Sequence, residues 1–224
     1  MTPSGNPRPT AHEGFVPPDE EPDRACAEPA PRTPSGIAVL CGPGDALSLG
    51  AALGLALADR NRSPVVAVCV WTGGPHGPSG SPHGPAVPAA RRLAASLARR
   101  GHDVRCAGRL AVVHLPAASE DAALQARRAS GAAGAAPTAL ALGGPRSAAF
   151  DDLLREQDLV VVAAPSGTEQ ALTRLALEGL ATRGVRACAC DLISSQLARA
   201  VAVAGLALLP AARRALADPL DALA

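Results

Sequence analysis

IAVLCGPGDALSLGAALGLALAD, residues 37–59, reads as a strand, a Gly-Pro-Gly turn and an Ala/Leu helix. A β-branched and aliphatic run stops at Gly42-Pro43-Gly44, and the helix begins straight after it. Free backbone N–H groups at such a helix start can cradle a phosphate. The charge that normally completes the arrangement is missing, because the chain contains no lysine and all its basic side chains are arginines. A GxxxxGK[ST] loop needs a compact ammonium on the β- and γ-phosphates, and the longer planar guanidinium does not fit the same space. Schiff-base and lysine-nucleophile chemistry are excluded on the same ground.

Alternating short apolar runs and Ala/Leu/Arg helices continue outward from this unit, which predicts crossover units on a mostly parallel sheet. Strands are expected near 37–42, 65–71, 104–106, 109–115, 138–143, 158–164 and 185–191. Helices are expected near 46–59, 88–100, 120–130, 146–157, 168–183 and 194–204. VVAVCVW and DLVVVAAP are continuously apolar, as suits strands covered on both faces, so they should lie centrally. The fold class is therefore α/β: three layers, doubly wound, with helices on both faces of the sheet. Gly50 and Gly54, one helical turn apart, leave a smooth stripe along which the first helix can approach the sheet.

The 224 residues suit one domain with a tail. Residues 1–35 are Pro-rich, with the acidic cluster Asp19-Glu20-Glu21-Pro22-Asp23 and too little apolar material to fold, so a disordered tail is expected ahead of a single domain at 36–224. A Gly/Pro/His segment at 72–87 reads as a flexible insertion loop. A formal net charge of +1 and near-absence of aromatics argue against nucleic acid, which needs basic patches or stacking platforms. No apolar stretch has signal-peptide or membrane-span character, so the cytoplasm is the expected location. The closing stretch LALLPAARRALADPLDALA is interrupted by Asp218, Pro219 and Asp221, which favours docking on the domain over lipid contact.

Catalytic constellations are sparse. Five of the six cysteines fall in expected strands as buried thiols. Cys188 and Cys190 share a strand face, but no CxxC pair accompanies them, and His76 and His83 lack nearby thiols or carboxylates, so no metal is expected. Gly42-x-Gly44 lacks a third glycine at Leu47 and an acid at the end of the second strand, which weakens a dinucleotide reading. His102 and His114 flank strand ends without an evident partner, and Asp151, Asp152 and Glu156 read as a solvated helix face. Ser194-Ser195 reads as helix capping.

The element order and the turn at 42–49 resemble the MinD/ParA family of deviant P-loop ATPases, and more closely its degenerate TadZ/CpaE-like relatives of pilus assembly loci. The resemblance spans about residues 37–192. Laid on the family's GKGGVGKT, the segment GPGDALSL places Pro43 and Ser48 at the two lysines and Leu49 at the magnesium-binding threonine. Asp45 stands where phosphate would lie; as a helix N-cap it would also compete for the same N–H groups. The family's VIVDTPPG strand falls either on LALGGPRS, with Gly143 in the aspartate slot, or on VVVAAPSG, with Ala163 there. The first register is preferred because 158–185 then resembles the next unit, with Ser166 or Thr168 capping its helix. The second strand, which ends in an aspartate in the family, here ends in Trp71.

The resemblance implies a P-loop NTPase-like domain that has lost each ATP-handling group. No catalytic activity and no cofactor, ATP and Mg²⁺ included, are expected, while nucleotide binding without hydrolysis stays open. Protein partners, among them pilus or secretion components, and a homodimer formed through the 42–50 face are the implied assemblies. The alternative is a small α/β enzyme or anionic-ligand-binding protein with its pocket at the strand C-terminal edge. The candidate binding residues for either reading are Gly42, Gly44, Asp45, Ser48, Arg146, Ser166 and Thr168; Arg146 would serve as the anion clamp.

Overall fold

The computed structural model describes residues 35–42, 44–72, 84–144, 148–164 and 170–191. The expected tail, most of the 72–87 loop, and the helix at 194–204 lie outside them.

Seven strands form one sheet: β1 (Gly36–Cys41), β2 (Val66–Trp71), β3 (Asp103–Ala107), β4 (Leu110–His114), β5 (Thr138–Gly143), β6 (Leu159–Ala164) and β7 (Ala187–Asp191). The helices are α1 (Ala46–Arg60), α2 (Pro88–Arg99), α3 (Ser119–Ala133), α4 (Ala148–Arg155) and α5 (Gln170–Ala181). The spatial order is β3-β4-β2-β5-β1-β6-β7. All neighbours are parallel except β3, which pairs antiparallel with β4. This is the three-layer α/β fold, with one antiparallel edge. β2 and β6, expected to be central, are interior strands paired on both sides, and the middle position belongs to β5.

Crossover direction decides which face each helix occupies. The step β1–α1–β2 runs toward the β3 edge, whereas β4–α3–β5, β5–α4–β6 and β6–α5–β7 run toward the β7 edge. Because parallel crossovers are right-handed, opposite directions put their helices on opposite faces. The two cores follow that division. One joins α1 to Ile37, Val39, Val66, Val68, Ala139, Ala141 and Val161. The other joins Leu97 of α2, Ala126 of α3, Phe150 of α4 and Leu180 of α5 to Ala38, Leu40, Cys69, Trp71, Leu140 and Val160.

The glycine stripe does what its spacing predicts. A Cβ on Gly50 would stand 2.6 Å from that of Ala141, and one on Gly54 would stand 3.0 Å from Val66 Cγ2. At the far end of the sheet, Asp158 Oδ2 accepts from the N–H groups of Ser35 (2.7 Å) and Gly36 (2.9 Å) and pins the start of β1. The last residues of the Gly/Pro/His loop are also held, since the Val87 N–H donates to Gly108 O (2.8 Å) and the Gly108 N–H to Pro85 O (3.2 Å).

Candidate functional site

In a parallel sheet of this kind ligands bind beyond the strand C-termini, where adjacent crossovers leave in opposite directions. Here that point lies beside β1, flanked by β5 and β6, whose own chains leave toward the other face. The turn between β1 and α1 is therefore where the fold would place an anion.

The turn begins as phosphate-binding turns do and then departs from them. The Asp45 N–H donates to Gly42 O (3.1 Å), so one of the donors at the helix start is already used, and the Leu49 N–H to Asp45 O bond (2.9 Å) opens the helical ladder. Asp45 occupies the N-cap position, yet its carboxylate makes no capping hydrogen bond. The capping role expected of that side chain is thus met in position only. A Cβ on Gly42 would come within 4.0 Å of Asp45 Oδ2, and one on Gly44 would meet nothing within 4 Å. The backbone is approachable, but a carboxylate leans over it.

Cys41, the last residue of β1, registers this electrostatics. Its thiol is pushed up to about 12, mainly by burial and further by the Asp45 carboxylate. Its Sγ lies 3.9 Å from Leu142 O, a long contact that gives a thiolate little support.

The residues around this turn are buried or apolar. Ser48 is buried in α1 and Leu49 belongs to the core beneath it. The strands flanking β1 bring no acid to this end: Gly143 is in register with Cys41 on one side, and β6 finishes in Ala163-Ala164 on the other. At the end of β2, Trp71 is buried, donates Nε1–H to Ala117 O (3.4 Å) and packs on Phe150 with ring centroids 4.9 Å apart. It is a core residue at the C-terminal end of its strand.

Gly42, Gly44, Asp45 and Ser48 are brought together at this turn, although Ser48 faces the interior. Arg146, Ser166 and Thr168 lie outside the described residues, as does Pro43. Ion pairs among the described residues include Arg109–Asp59, Arg127–Glu156, Arg155–Asp152, Arg174–Glu178 and Arg183–Asp151. Asp151, Asp152 and Glu156 are therefore structural partners of arginines. His102, expected to lack a partner, hydrogen-bonds Gln125, and burial holds its imidazole below the usual range. Burial likewise lowers His114, with Asp103 opposing and Arg105 adding to the effect, and His114 Nε2 has no hydrogen-bond partner among the described residues.

No group of three or more His, Cys, Asp or Glu side chains able to hold a metal occurs among the described residues. A cavity of about 310 Å³ opens beside Ser35, Gly36, Arg127, Glu156 and Gln157, at the N-terminal edge of the strands and so at the end of the sheet away from the β1–α1 turn. Sequence reasoning missed it because its walls come from β1, α3 and α4 together. No helix among the described residues is long and apolar enough to cross a membrane. No protein-family model matches the chain, and no curated protein matches it.

Proposed function

We propose that the protein is a non-catalytic, MinD/ParA-like domain that serves as a scaffold or localisation partner, in an assembly of the bacterial pilus or secretion type. One observation carries the reading: the turn in the phosphate-binding position opens on Asp45, and both strands flanking β1 end without an acid. Phosphoryl transfer depends on cations around the transferring group and on a carboxylate that holds the metal or its water. With those groups replaced by Ser48, Leu49 and, in the preferred register, Gly143, the α/β frame is retained while the chemistry is removed. A frame kept without its chemistry suits a protein that works through its surface.

A thermal-shift screen against adenine and guanine nucleotides with Mg²⁺ tests the reading. Ligand at a hundred times its Kd stabilises by about 2.7 kcal/mol, a readily measured rise in melting temperature. The expected result is no Mg²⁺-dependent shift at millimolar nucleotide, because neither strand flanking β1 ends in an acid placed to hold the metal. A saturable, Mg²⁺-dependent rise that Ser48→Ala abolishes overturns it.

A further inference from the structure

α2 has one buried stripe, Ala90, Ala94 and Leu97. Arg92 and Arg99 are exposed, and at about 100° per residue they lie two turns apart and directly opposite that stripe. Arg91 and Arg100, also exposed, flank them, so the helix and its cap carry four arginines and no acid. Arg128 of α3 joins this group, because it and Arg100 both act on His102, a buried residue just past the α2 cap, and both lower its proton affinity.

Among the described residues none of these five arginines donates to a carboxylate. Glu120 and Asp121 sit in the first turn of α3, where they complement that helix's dipole, and Asp103 acts on His114. Local stability does not require the arrangement. Arg91 and Arg92 stand near the α2 N-terminus, the end at which a cation is unfavourable, and no acid in the first turn offsets them. Cations that cost the helix stability and meet no partner within the fold are free to meet one outside it.

Charge and side-chain type together select the occupant. A second copy does not fit, since α2 against α2 would set arginine on arginine. The exposed positions between the arginines are Ala95 and Ala98, which give a lipid surface no large apolar side chain to take up. Trp71 and Phe150 are buried in the core, so neither serves as a platform on which a base could stack. A guanidinium fork matches a carboxylate through two parallel hydrogen bonds. Leu124, one turn before Arg128 and 48% exposed, offers a partner one apolar seat.

We propose that the outward face of α2, with Leu124 and Arg128 of the neighbouring α3, is a docking surface for an acidic segment of a partner protein. α2 and α1 lie on opposite faces of the sheet, so the inference does not rest on the loss of nucleotide chemistry at the β1–α1 turn.

The test titrates the full chain into a fluorescein-labelled oligoglutamate peptide carrying one leucine, at about 0.15 M salt, where exposed charges further apart than about 8 Å are screened. Anisotropy should rise to saturation. Arg92→Glu with Arg99→Glu should weaken binding about tenfold or more, whereas Arg62→Glu with Arg174→Glu, an equal change of net charge away from α2, should alter it less than about twofold. Three outcomes overturn the proposal: no saturable binding by the unaltered chain, equal weakening by the two double variants, or tighter binding to a DNA duplex or to phosphatidylglycerol vesicles than to the peptide. Should the α2 double variant fail to fold, Arg92→Gln with Arg99→Gln takes its place; weakening of about threefold is then expected, and unchanged binding contradicts the proposal.

Discussion

Across the β1–α1 turn the Asp45 carboxylate opposes ionisation of the Cys41 thiol, adding to the burial that already pushes it up to about 12. The same carboxylate stands where an incoming phosphate would need positive potential. Thiol chemistry therefore reads out the field at this turn without any ligand.

Alkylation at pH 8 should label Cys41 and Cys69 far more slowly in the folded protein than in the urea-unfolded chain, because burial holds both thiols protonated. Asp45→Asn should accelerate Cys41 by a few-fold only, because burial is the larger cause. Mass-spectrometric mapping of early adducts checks this. Labelling of Cys41 at the rate of an unfolded thiol would contradict it.

Gly50→Ala should destabilise the domain, since the new methyl group would meet the Ala141 methyl at 2.6 Å and Val68 Cγ1 at 3.2 Å. Overpacking costs about 1–3 kcal/mol and outweighs the gain in helix propensity. Gly131→Ala, in α3 with nothing within 4 Å of the added carbon, should stabilise by about 0.5–1 kcal/mol. Urea melts of the two variants should move in opposite directions.

Trp71→Ala should cost about 3–5 kcal/mol, as truncation of a fully packed aromatic does. The residue is 3% exposed and packs on Phe150. Trp71→Asp should abolish folding because it buries an unpaired charge. Native emission from this lone tryptophan should be blue-shifted and move to the red on unfolding.

Stability should fall as pH drops below about 6.5, the ordinary histidine value. His102, between Gln125, Arg100 and Arg128, and His114, beside Asp103 and Arg105, both titrate lower in the folded protein. The unfolded chain thus binds protons first, and acidification favours it; the contribution is fully present above the unfolded value and lost below it. His102→Gln should flatten the urea midpoint between pH 7.5 and 5.5.

The periodicity of single segments carried most of the fold. Runs such as VVAVCVW and the Ala/Leu stretch after Asp45 announce strand and helix by their own composition, and the close approach at Gly50 and Gly54 follows from their spacing. Strand order was not legible, because it depends on crossover direction rather than on any one segment. The reversed β3 was hidden in the same way, though Gly108, between two short apolar runs and with φ of +52°, is the signal of its tight turn into β4. The burial of α1 on all sides also had a signal: from Ala46 to Ala58 only Ser48 is polar. At the site, the lack of a basic side chain at Ser48 and of an acid at Gly143 and Trp71 was readable residue by residue. The action of Asp45 on Cys41 was not, because it arises only when the turn folds back over Gly42.

Hydrolysis of Mg²⁺-ATP by the purified chain is the most direct test of a frame kept without its chemistry. Phosphate release should equal that of buffer, and Ser48→Ala should change nothing. Turnover well above background that Ser48→Ala removes would contradict the account.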